Sequence, residues 1–94
     1  MKYHRTVDEG LKLLSKYVIP IALMDLKLRE DWKVEINQEK KQYHIQLAGK
    51  DIFFSQGLIR QTSPEKVESL VDKLKAIIIS EVDINIVLMV GENR

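Results

Sequence analysis

The 94-residue chain is predicted to form one α+β domain spanning residues 1–94, a two-layer sandwich. An antiparallel sheet of 3-4 strands is covered on one face by amphipathic helices. Three observations predict this. Apolar residues recur at spacings of three and four over residues 7–28 and again over 67–78, which is the helical period. Over 34–54 and 82–90 they recur mainly at every second position, which is the strand period. The strand-like stretches in the middle are joined by short turns, so successive strands should lie antiparallel. The expected order is α-β-β-β-α-β.

The first helix opens on Thr6-Val7-Asp8-Glu9, a T-x-x-E capping box. Val7, Leu11, Leu14, Val18 and Ile21 follow at helical spacing, and Leu13, Tyr17, Met24 and Leu28 widen the stripe to about half the cylinder. Pro20 interrupts it. Either one long helix is kinked there, or two helices meet with Pro20 in the first turn of the second. Over residues 20–30 a strand is the rival, because Met24, Leu26 and Leu28 alternate with Asp25, Lys27 and Arg29. The good helix formers of ALMDLKLRE favour helix.

Val34 and Ile36 alternate with Lys33, Glu35 and Asn37, and after the polar turn 37–41, Tyr43, Ile45 and Leu47 alternate with Gln42, His44 and Gln46. Each is a strand with one wet face. Trp32 falls on the core side of the first, or serves as a partner anchor. Ala48-Gly49-Lys50-Asp51 is a short turn, and Ile52-Phe53-Phe54 begins a third strand ending near Gly57.

Ser63-Pro64-Glu65 places an N-cap, a first-turn proline and an acid at a helix start. Val67, Leu70, Val71, Leu74, Ile77 and Ile78 then carry an apolar face to about Ser80, before alternation resumes at Val82. The α-β-β-β-α order is similar to that of double-stranded-RNA-binding domains, in topology alone. Those domains approach the second helix through a basic, glycine-containing stretch and start it with a lysine cluster. Gln61–Lys66 holds one lysine and one acid, so the shared order implies no function.

Fifteen Lys and Arg against fourteen Asp and Glu leave a formal charge of +1, which argues for neither nucleic acid nor anionic membrane. There is no cysteine, which excludes disulfides and thiolate chemistry and makes a cytoplasmic location the expectation. MKYHRTVDEG has no signal-peptide core, and YVIPIALM and IVLMV fall short of the roughly 20 apolar residues of a membrane helix. The two histidines, His4 and His44, have no partner at ligand spacing, the glycines are isolated, and no serine sits in a nucleophile elbow. No catalytic, cofactor or metal site is expected, and the chain is expected not to be an enzyme.

Two functional readings remain. The segment EVDINIVLMV is apolar on both alternating faces, with no charge between Asp83 and Glu92. An edge strand of that kind lacks the usual guards against pairing. Ile84, Ile86, Val87, Leu88, Met89 and Val90 would therefore be covered by the rest of the fold, by a second copy in a homodimer, or by a strand of another protein. The first reading is a small interaction or assembly module. The alternative is a nucleic-acid-binding module using Lys33, Lys40, Lys41, Tyr43, His44 and Lys50, with Phe53 and Arg60 nearby. Glu35, Glu39 and Asp51 are interspersed among those positions.

Overall fold

The computed structural model describes residues 4–80. The segment 81–94, with the expected fourth strand and all six apolar positions from Ile84 to Val90, lies outside the described residues. Within them the fold is the expected α+β class, an antiparallel three-stranded sheet with helices.

The capping box forms as read. Glu9 N–H donates to Thr6 Oγ1 at 3.1 Å, and Thr6 N–H donates to Glu9 Oε1 at 2.8 Å. Helix α1 is Val7–Leu13, and the helical run continues through a π-helical segment, Leu14–Val18, into α2, Ile19–Asp25. The run is therefore neither broken at Pro20 nor a plain α-helix. Pro20 has no N–H to offer and its ring crowds the carbonyl four residues earlier. Just before it, Ile19 N–H donates to Leu14 O, five residues back, so the wider turn sits where the proline would strain an α-helix.

Residues 20–25 are helix, not strand. The end of α2 is a Schellman motif: Leu28 N–H donates to Leu23 O at 2.9 Å and Lys27 N–H to Met24 O at 3.1 Å. Lys27 holds the left-handed position, φ 58°.

Strands β1 (Trp32–Asn37), β2 (Gln42–Leu47) and β3 (Lys50–Ser55) pair antiparallel in the order β1-β2-β3. The register aligns Val34 with Ile45 and Ile36 with Tyr43, then Tyr43 with Phe54 and Ile45 with Ile52. One face therefore carries the apolar set, which packs with Leu14, Val18, Ile19, Ala22, Leu70, Leu74 and Ile77 of the helical layer into a single core. Trp32 packs at its border on that face, half-buried. The β2–β3 connection has positive φ at both Ala48 and Gly49, as a type I′ hairpin turn requires.

The third strand stops at Ser55, short of the expected Gly57, because Ser55 caps a helix. Its Oγ accepts from Leu58 N–H at 3.1 Å, and α3 spans Gln56–Gln61. The last helix begins as a 3-10 turn, Pro64–Lys66, and continues as α4, Val67–Ile79. Ser63 occupies its N-cap position, but its side chain makes no capping hydrogen bond; its carbonyl accepts from Lys66 N–H instead.

Candidate interaction surface

The apolar arc of the first helical run is wider than the sheet can cover, and the π segment decides which part is left over. A turn with one extra residue rotates everything after it by about 100° relative to a regular α-helix. Before the insertion Gly10, Leu13 and Leu14 are buried; after it Val18, Ile19, Ala22 and Leu23 are. Ile21, which the uninterrupted 7-11-14-18-21 spacing places inward, is displaced outward at 36% exposure. Tyr17 is 54% and Met24 70% exposed, so an apolar stripe at i, i+4 and i+7 faces outward. Ile79, at the end of α4, is 66% exposed.

Helix α4 lies beside α2. Lys75 Nζ reaches Asp25 Oδ2 at 3.1 Å and Asp72 Oδ1 at 3.3 Å, and both carboxylates hold the ammonium pKa above its ordinary value. The groove between the two helices has a volume of about 390 Å³; Ile21, Val67 and Val71 give it apolar walls and Asp25, Asp72 and Lys75 a charged margin. Ile21 thus belongs to both the stripe and the groove.

The sheet's other face carries the alternative site, and the six residues assigned to it do not come together. Tyr43 is fully buried on the opposite, core side. Its hydroxyl donates to Val7 O at 2.7 Å, and burial raises its pKa. Its place follows from alternation with Ile45 and Leu47, which is incompatible with stacking a base from the wet face. Lys50 is committed elsewhere: its ammonium donates to Ile77 O at 3.0 Å, Ile78 O at 2.8 Å and Ser80 O, capping the end of α4. Arg60 lies in α3, with its Nε donating to Arg5 O at 2.7 Å. Lys40 and Lys41 are exposed in the β1–β2 turn, which Asn37 holds by accepting from Lys40 N–H at 3.0 Å.

What the wet face does hold is paired. Lys33 and Glu35 meet at 2.8 Å, and their hydrogen bond raises the lysine pKa and lowers the glutamate's. His44 Nε2 lies 3.0 Å from Asp51 Oδ1, and that contact, with a second from Gln46, lowers the Asp51 pKa. The His44 ring stacks on Phe53, its cross-strand partner, with centroids 4.6 Å apart and planes 12° from parallel. The two-residue alternation foretold the face, but the partners across it depend on register. His4 makes a 3.4 Å contact between its Nε2 and Arg60 Nη2.

Among the described residues no three His, Asp or Glu side chains converge as a metal site would need, and no helix is long and apolar enough to cross a membrane. No protein-family model matches the chain, and no curated protein and no solved structure matches it.

Proposed function

We propose that the chain is a small non-enzymatic interaction or assembly module that self-associates as a homodimer, with the C-terminal apolar segment supplying contacts from Ile84, Ile86, Val87, Leu88, Met89 and Val90. The observation that carries this reading is the exposed stripe of Tyr17, Ile21 and Met24. Large apolar side chains grouped on one helix face are a feature of interaction surfaces, whereas scattered ones are ordinary. A chain with an outward apolar stripe and a doubly apolar terminal segment has two surfaces that association can remove from water.

The test is the mass of the intact protein by light scattering across micromolar concentrations. A dimer is expected, and Val87→Lys or Met89→Lys should shift it to monomer while circular dichroism stays unchanged. A monomer throughout that range overturns the reading.

Nucleic-acid binding is the second reading, supported by the stacked His44–Phe53 pair on the outer face of the sheet. It is weakened by Glu35 and Asp51 on that same face. It requires a salt-sensitive mobility shift with single- or double-stranded nucleic acid, because lysines release counterions from phosphates. No shift at low salt removes it.

A further inference from the structure

We propose that the pocket between α3 and α4 is a docking site for an acidic segment of a partner protein, which inserts one aromatic side chain between Lys66 and Lys73. The site shares no residue with the Tyr17–Ile21–Met24 stripe or the α2–α4 groove, and it goes beyond the self-association reading.

The last helix sorts its charges by side. Glu68 and Asp72 line the α2–α4 groove, where Lys75 joins them. Lys66, Ser69, Leu70 and Lys73 fall on the side towards α3 and, with Leu58 and Thr62, line a pocket of about 160 Å³. Leu70 is buried and Leu58 packs against the core, so the depth of the pocket is apolar. The Thr62 hydroxyl is already used, donating to Leu58 O at 2.6 Å. Among the described residues no carboxylate lines the pocket, and neither Lys66 nor Lys73 has an acidic partner within ion-pair distance.

Size and charge together select the occupant. Sites that enclose a whole small molecule begin at roughly 300 Å³. This pocket is closer to the cavity of about 150 Å³ that takes a benzene. One ring therefore fits, and the molecule that carries it must lie outside, across the rim. That rim holds two ammonium groups roughly two helical turns apart, about 10 Å along the axis, with the exposed Ser69 hydroxyl between them. Carboxylates on either side of the ring complement both cations. A nucleic-acid base would bring polar edges into an apolar pocket whose one hydroxyl is spent, which is unfavourable. A peptide with a hydrocarbon ring between acidic residues meets the depth and the rim at once.

The probe is a fluorescein-labelled peptide with one phenylalanine flanked on both sides by aspartate and glutamate, titrated with the intact protein by fluorescence anisotropy. Saturable, salt-weakened binding is expected. Replacing the phenylalanine by alanine, or the acids by their amides, should each weaken it at least about fivefold, because about 1 kcal/mol or more is lost from the pocket or from the rim. The doubly substituted Lys66→Glu, Lys73→Glu protein should bind about tenfold or more weakly, since like charges then face each other, while circular dichroism stays unchanged. Lys66→Arg with Lys73→Arg should retain binding. If the alanine peptide binds as tightly, the attraction is charge alone and the pocket is wrong. If the charge-reversed protein binds as tightly, the site lies elsewhere. The proposal also falls if no binding is seen up to about 1 mM, or if decanoate or single-stranded RNA binds at these lysines and the peptide does not.

Discussion

Lys50 Nζ lies 2.8 Å from the carbonyl oxygen of Ile78, and so ties the first residue of an edge strand to the last turn of α4. The carbonyls at a helix C-terminus have no partner within the helix and carry its negative dipole end, so an ammonium there is doubly favourable. Lys50→Met keeps most of the stem and removes the donor. It should destabilise the fold by about 1–2 kcal/mol, measured by urea unfolding. Unchanged stability would show that water serves these carbonyls equally well.

Gly10 of α1 faces Tyr43 of β2 with no room for a side chain. A Cβ there would lie 2.2 Å from the Tyr43 hydroxyl oxygen and 3.0 Å from its Cζ. Alanine gains about 1 kcal/mol of helix propensity, but overpacking costs about 1–3 kcal/mol and the Tyr43–Val7 hydrogen bond contributes about 1 kcal/mol more. Gly10→Ala should therefore be destabilising. In a Tyr43→Phe background, where the most crowded atom is gone, it should cost less. A double-mutant cycle by chemical denaturation reads the coupling directly.

Lys27 and Ala48 occupy left-handed backbone, φ 58° and 54°. Residues with a Cβ are strained there, by roughly 1 kcal/mol. Lys27→Gly at the Schellman position and Ala48→Gly or Ala48→Asn in the hairpin turn should each raise stability by about 0.5–1 kcal/mol. The sites are on separate elements, so the gains should add in thermal melts. A fall in melting temperature would contradict the backbone assignment.

Acid should destabilise the fold through two exposed carboxylates. Hydrogen bonds from the Thr6 backbone and hydroxyl region lower the Glu9 pKa, and the contact with His44 lowers that of Asp51. A carboxylate whose folded pKa is depressed contributes stability that is present above its unfolded value, about 4, and is lost as pH falls through the folded value. Glu9→Gln and Asp51→Asn should each flatten the decline in stability between about pH 5 and pH 2. An unaltered slope in both variants would place the acid-sensitive groups elsewhere.

The local features were legible because their causes are local. The Thr6–Glu9 box, the three alternating strands and the Val67–Ile79 helix follow from spacing along the chain. Helix α3 has a local signal in Ser55 as N-cap with Leu58 and Ile59 as an apolar pair, but its six residues are too few for a helical period to show. Tyr43 alternates with Ile45 and Leu47, and that period alone places it on the core face, opposite His44. The role of Lys50 has no local signal in the sequence. Its partners lie 27 to 30 residues away, on a helix whose end meets the hairpin only after the layers pack.

What the sequence by itself determined is the kind of each element, because capping, turn chemistry and apolar period act over a few neighbouring residues. What only the tertiary structure decided is which apolar side chains are left outside. A five-residue turn before Pro20 sets the rotational phase of α2, and with it sends Ile19 inward and Ile21 outward. Periodicity can count the apolar residues on a helix; the packed layers settle how many of them find cover.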